Sequence, residues 1–290
     1  MAIPWRALLL ALLAHSLWGG NVVGVKLGMI AVPPLWSAFW RFLLGALVIL
    51  AWARASNIPI MPQKGEWRGL LWIGLLFIVQ IGIMNLGFAL TSGAMGSILI
   101  ATNPLFAALF AHFFVPSDRL RPVRSLGLTI AFAGIVLLFL PGADQGWRID
   151  GMAGNLVVIC SATLLGGRLV FSSRLLQRIN PVRVNLWQML LSLPAFALGG
   201  FLWEQVAWDK LTWIPLAGLA YQGIVVAGLG FMLLAVLLRS HNPSVVTGFN
   251  FVAPIIGVLL SGALLGDPLT WRLWAGLGAV GTGLILIARK

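Results

Sequence analysis

Ser16-Leu17-Trp18-Gly19-Gly20-Asn21 lies inside the first long apolar stretch and sets two glycines where a membrane helix should run smoothly. Glycine in a helix interior costs about 1 kcal/mol relative to alanine, so a pair beside Trp18 and Asn21 predicts a bend or a close backbone approach. The stretch has an echo in Leu165-Gly166-Gly167-Arg168, and the same offset carries Pro34 onto Pro181 and Trp40 onto Trp187. Farther along, Pro104 answers Pro254, and Asp118, Leu120, Gly127 and Gly134 answer Asp267, Leu269, Gly276 and Gly283, with small loop insertions shifting the offset. Gly and Leu matches alone could arise by chance in an apolar chain. Prolines, tryptophans and aspartates recurring in order mark a duplicated unit.

Composition identifies the solvent. Hydrophobic residues make up 60% of the 290, charged residues 9%, and mean hydropathy is +1.00. Such a chain is an all-α polytopic membrane protein. With about 20 apolar residues needed per span, it has room for about ten helices and short loops, and none for a soluble catalytic domain. Apolar runs place the spans at about 7–29, 34–53, 67–90, 94–115, 123–140, 152–173, 183–203, 212–238, 244–265 and 270–288, punctuated by Pro, Gly and Asn clusters. Five spans fall in each expected repeat, residues 1–145 and 146–290.

The net charge of +12 comes from basic residues scattered through loops, a pattern of membrane orientation rather than nucleic-acid binding. With the N-terminus in the cytoplasm, Arg6, Arg54, Lys64, Arg68, Arg119, Arg121, Arg124, Arg174, Arg178, Arg183, Arg239, Arg289 and Lys290 fall on the cytoplasmic side. Arg148, Lys210 and Arg272 fall opposite. Because five helices precede the sixth, the second repeat enters from the other side, giving two inverted five-helix repeats, an architecture of secondary transporters with substrate held between the halves. The first span reads as retained rather than as a cleaved leader.

Trp18-Gly19-Gly20-Asn21, Lys26 eight residues after Trp18, Pro34 followed by Arg41-Phe42, and Pro104 with Asp118 and Gly127 resemble the drug/metabolite transporter (DMT) superfamily. The resemblance covers nearly the whole chain and is strongest to EamA-type proteins, with amino-acid exporters of the YddG type the first subgroup. It implies ten helices, both termini cytoplasmic, a bacterial inner-membrane location, and export of amino acids or related small metabolites. Asp118 and Asp267 stand where Glu is commoner, and Leu165 and Arg168 replace Trp18 and Asn21 in the second repeat.

All seven acids, Glu66, Asp118, Asp144, Asp150, Glu204, Asp209 and Asp267, fall in loops or at span ends, leaving no evident intramembrane proton relay. Facilitated diffusion is therefore at least as well supported as proton antiport. His15 shares a face with Trp18 and is either a core residue bonded to a carbonyl or a relay. Polar residues deep in the spans, Asn21, Gln80, Asn103, Tyr221, Gln222 and Asn250, line a substrate site or bind helices together. Trp18, Met84 and Leu165 would meet an apolar group. Arg168 could attract a carboxylate, snorkel or cap carbonyls, whereas Lys26 and Arg41 are expected to snorkel or bind carbonyls nearer the outer face. Gly19, Gly20, Gly166 and Gly167 are expected hinges for alternating access.

The expected partners are a small-molecule substrate and the lipid bilayer, with no nucleic acid, no cofactor and no metal, and a monomer is the working assumption. No zinc, intramembrane protease or serine-hydrolase motif is present, which argues against an enzyme. A proton-coupled exporter of drugs or other metabolites is the competing reading.

Overall fold

The computed structural model describes residues 5–114, 122–140, 152–233 and 252–288. The first segment is broken: α1 (Trp5–Gly19) ends at the glycine pair and α2 (Asn21–Gly28) resumes beyond it. α3 (Pro34–Ala55) and α4 (Trp67–Leu90) follow. The fourth segment is also interrupted, as α5 (Gly93–Ile100) and α6 (Asn103–Phe114), and α7 (Pro122–Phe139) completes the first half.

The second half has α8 (Met152–Leu175), α9 (Pro181–Trp203), α10 (Trp213–Ala220) widening into a π-helical stretch over Tyr221–Gly230, α11 (Val252–Leu265) and α12 (Trp271–Ala288). These elements make ten membrane segments. Their bounds agree with the apolar runs to within a few residues, except that the end of the eighth run and the start of the ninth lie outside the described residues. The expected repeat boundary at 145–146 lies outside them too.

Local chemistry explains where the segments start. Pro34 and Pro181 occupy the first turns of α3 and α9, where a missing N–H costs nothing. The Asn180 side chain accepts from the Val182 N–H at 2.9 Å, and Ser92 caps Met95 at 3.1 Å.

The packing has approximate two-fold symmetry. α7 lies on α12, α3 on α9, and α5 on α11, each pairing equivalent elements of the two halves. The remaining contacts come in matched sets: α4 with α8 answers α10 with α2, α4 with α9 answers the π segment with α3, and α6 with α8 answers α1 with α11. In the α7–α12 pair, Gly127 meets Gly283 and Gly134 meets Gly276, a pairing possible only for antiparallel helices. Two five-helix repeats are therefore inverted against each other.

Small residues allow these approaches, as expected where lipid removes the hydrophobic drive for helix association. A Cβ on Gly166 would stand 2.7 Å from the Ala107 nitrogen and 2.9 Å from the Asn103 carbonyl oxygen, so α8 and α6 touch backbone to backbone. Trp203, Trp208, Trp213 and Trp271 are exposed together at one end of the bundle, as an interfacial aromatic belt requires.

At the opposite end Glu66, just before α4, accepts from Arg183 at 2.5 and 2.6 Å and from the Gln63 N–H at 2.8 Å. Trp187 donates to the Ile60 carbonyl at 2.8 Å beside this pair. Burial alone would raise the Glu66 carboxyl, but the Gln63 N–H and the Arg183 guanidinium outweigh it and hold the group below its ordinary value.

Two outcomes are expected. Gly166→Ala should lower thermal stability in detergent by about 1–3 kcal/mol through overpacking, whereas Gly278→Ala, with nothing within 4 Å of the new Cβ, should be neutral or stabilising. The stabilisation from Glu66 is present above the ordinary carboxylate pKa of about 4.3 and is lost as pH falls through the depressed folded-state value. Melting curves from neutral pH to about pH 3 should therefore lose part of this acid-dependent fall in Glu66→Gln, whose neutral-pH melting temperature should also be lower.

Candidate substrate cavity

The break in the first segment needs a partner for its backbone. The Tyr221 hydroxyl donates to the Leu17 carbonyl at 2.7 Å and lies against Gly20, where any side chain would collide with it. A second break, between α5 and α6, is capped from its own chain: Thr102 Oγ1 donates to the Leu99 carbonyl at 2.6 Å and Asn103 Nδ2 to the Ile100 carbonyl at 2.8 Å. Pro104 follows at once and cannot donate. Irregular backbone at membrane depth is tolerated where it is buried in protein or borders a cavity, and both breaks border one.

That cavity measures about 380 Å³ and lies between the two halves. It is lined from the first repeat by His15, Trp18, Gly19, Asn21, Val22, Arg41, Phe42, Phe77, Gln80, Ile81, Met84, Ser97, Ile100, Ala101, Asn103 and Pro104. The second repeat contributes Leu165, Arg168, Leu169, Val226, Phe231, Ala253 and Pro254.

Seven of the residues expected to touch substrate meet here: Trp18, Asn21, Gln80, Met84, Asn103, Leu165 and Arg168. Tyr221 and Gln222 do not line it. Tyr221 is used on the helix break, and Gln222 donates to Ser37 at 3.1 Å within the α3 contact. Asn250 lies outside the described residues. Of the expected hinges only Gly19 reaches the cavity; Gly20 lies under Tyr221, Gly166 against α6, and Gly167 beside Phe110.

Trp18 is clamped edge-on between His15, at 5.9 Å between ring centroids, and Phe231, at 5.7 Å. Gln80 is oriented by Ser161: its amide donates to Ser161 Oγ at 3.0 Å, and that hydroxyl returns a bond to the Gln80 carbonyl. Its side-chain oxygen has no partner, nor has the Asn21 Oδ1. These are acceptors held ready for a donor.

The charged residues divide differently from expectation. Lys26 donates to the Phe88 and Thr91 carbonyls at 3.0 and 2.6 Å, capping the C-terminus of α4 as the sequence suggests. Arg41 does not snorkel. It is only 6% exposed and lines the cavity, with its carbon Cζ 5.1 Å from the Phe42 ring centroid and Nε and Nη1 without hydrogen-bond partners. At seven residues into α3 it is about 10 Å from the helix start, too deep to reach an interface easily. Arg168 lies 4.9 Å from the Phe77 ring centroid, donates to Gln188 at 2.9 Å and leaves Nε unpartnered. Sequence reasoning missed Arg41 as a lining residue, because nothing local in α3 marks which way its side chain turns.

Two segments of the chain, residues 5–140 and 152–289, each match the EamA-like transporter family. The chain belongs to that family. Within the wider DMT superfamily it resembles an uncharacterized transporter YvbV of Bacillus subtilis, 26% identical across 98% of this chain and 92% of that one. It is similarly related to an uncharacterized transporter of Archaeoglobus fulgidus, 24% identical across 96% and 97% of the two chains. The uncharacterized inner membrane transporter YedA of Escherichia coli is 25% identical across 94% and 87%.

A solved protein structure 22% identical to this chain has the same fold, with a TM-score of 0.72 over 97% of this chain and 96% of that one. This EamA-family member is a multi-pass inner-membrane transporter rather than an enzyme.

Cys160 is the single cysteine and is exposed on α8, eight residues into the helix and away from the cavity lining. An L165C substitution in a C160S background should react with membrane-impermeant thiosulfonate reagents added to detergent-free proteoliposomes. Cys160 in the native chain should stay unreactive, since a charged, membrane-impermeant reagent does not enter hydrocarbon. Protection of L165C equal to that of Cys160 would show that no water reaches the cavity.

Proposed function

We propose that this protein exports small carboxylate-bearing metabolites, amino acids with apolar or aromatic side chains among them, from the bacterial cytoplasm by alternating access. The observation carrying this reading is the mixed wall of the cavity: guanidinium groups, unpartnered amide oxygens and an aromatic clamp converge on one volume between inverted halves. A substrate carboxylate fits Arg168, as bidentate donors match carboxylate geometry. An ammonium would be accepted by Gln80 Oε1 and Asn21 Oδ1, and an apolar side chain would rest against Trp18, Met84 and Leu165. The volume lies within the usual range for small-molecule sites of about 300–1,000 Å³.

Facilitated transport is the mechanism favoured by this wall, because no carboxylate lines it among the described residues to carry a coupling proton. A carrier of cationic drugs would have to bring a positive charge beside two guanidiniums in a medium that screens poorly. Rocking of one half against the other would use the thin contacts at Gly19-Gly20 and Gly166-Gly167, with both termini on the cytoplasmic side. Alanine at these glycines would disturb packing as well as motion, so hinge tests need a readout of conformation, such as distances between spin labels on the two halves.

Purified protein in liposomes should take up labelled phenylalanine and leucine saturably, with no requirement for a pH gradient. Trp18→Ala should raise the half-saturating phenylalanine concentration about tenfold, equivalent to about 1.4 kcal/mol. Uptake that appears only when a proton gradient is imposed would overturn the facilitator mechanism. Absence of uptake of either amino acid by folded protein would remove the amino-acid assignment.

A further inference from the structure

Phe42 and Phe77 meet edge to face with ring centroids 4.6 Å apart, and each carries a guanidinium over its ring: Arg41 at 5.1 Å from Phe42 and Arg168 at 4.9 Å from Phe77. The two cations thus line the same cavity, one from each repeat, over two rings that touch each other. Arg168 is positioned by Gln188, but Arg41 is almost wholly buried with Nε and Nη1 unpartnered. Ring faces attract cations but do not neutralise them. Among the described lining residues there is no acid to do so.

We propose that Arg41 and Arg168 form one anion subsite, so that the preferred cargo is a carboxylate of net negative charge rather than the zwitterion of the same skeleton. This rests on the transport reading above only for its consequence in the membrane. A buried cation with open donors is stabilised most by a ligand that brings negative charge without a compensating ammonium. Carrying such a ligand moves charge across the bilayer. An inside-negative potential then drives export by itself, by about 50-fold in the equilibrium distribution per unit charge at 100 mV, and this holds for either orientation of the protein.

Three probes sharing a phenyl ring separate the possibilities: 3-phenyllactate is an anion, phenylalanine a zwitterion and 2-phenylethylamine a cation. Titration calorimetry on the detergent-purified full chain should show phenyllactate binding at least tenfold tighter than phenylalanine and phenylethylamine not binding. Arg41→Gln should weaken phenyllactate at least tenfold with a smaller effect on phenylalanine, while Arg41→Lys, which keeps the charge, should retain most of the affinity. Melting temperatures of both variants establish that they are folded. In proteoliposomes clamped with potassium and valinomycin, and corrected for leak through protein-free vesicles, an interior-positive potential should speed phenyllactate uptake and leave phenylalanine uptake unchanged.

Equal affinity for the two carboxylates, indifference of phenyllactate to Arg41→Gln, or no phenyllactate binding while phenylalanine is transported would overturn the anion subsite. Phenyllactate that binds in an Arg41-dependent way without crossing would sustain the subsite and overturn the transport reading instead.

Discussion

Backbone that leaves the helical ladder inside a bilayer finds no water to bond, and this constraint orders the whole structure. The two described breaks and several helix ends have side chains assigned to them. Tyr221 serves the Leu17 carbonyl, Thr102 and Asn103 serve the end of α5, and Lys26 serves the end of α4. The N-termini are treated with acids: Glu204 accepts from the Leu35 and Trp36 N–H groups, and Asp267 accepts from Ala94. Carboxylates at helix N-termini and an ammonium at a C-terminus also match the helix dipoles. Most of these bonds join the two repeats, so satisfying the backbone and docking the halves are one event.

That economy explains which polar groups remain for a substrate. Asn85 donates to the Pro34 carbonyl and Gln222 to Ser37, so both hold helices together. Asn103 faces the cavity but has its amide engaged by Ile100. The Asn21 and Gln80 side-chain oxygens and the Arg41 and Arg168 guanidiniums are left incompletely bonded at the cavity. An unsatisfied buried polar group costs about 1–3 kcal/mol, more when charged, and four such residues on one volume are a cost the fold carries where a ligand can relieve it.

Much of this architecture was legible in the sequence. Segment boundaries followed from Pro34, Pro181 and the turn clusters, because proline and glycine act through local sterics. The inversion followed from an odd number of spans per repeat. The site was legible in part: Trp18, Gln80 and Arg168 stood out as residues out of place at membrane depth. Arg41 was misjudged because one-dimensional depth does not reveal which way α3 faces, and that is set by its packing on α9 and on the π segment. Tyr221 and Gln222, expected to touch substrate, lie off the cavity lining for the same reason. Depth fixes neither azimuth nor partner, and the widening of the helix over Tyr221–Gly230 has no local sequence signal.

The two-fold symmetry belongs to the scaffold and stops at the cavity wall. Equivalent glycines, prolines and helix pairings recur, so under the proposed alternating access the two arrangements of the halves would use similar contacts. Apart from Pro104 and Pro254, the lining does not recur residue for residue: Trp18 is answered by Leu165, Asn21 by Arg168, and α3 contributes Arg41 while its counterpart α9 contributes nothing to the lining. A symmetric lining would present two equivalent half-sites to a small ligand. Breaking the symmetry at the cavity wall gives it one aromatic clamp and a guanidinium from each repeat, an arrangement that would orient an asymmetric molecule in the proposed site while the frame keeps its symmetry.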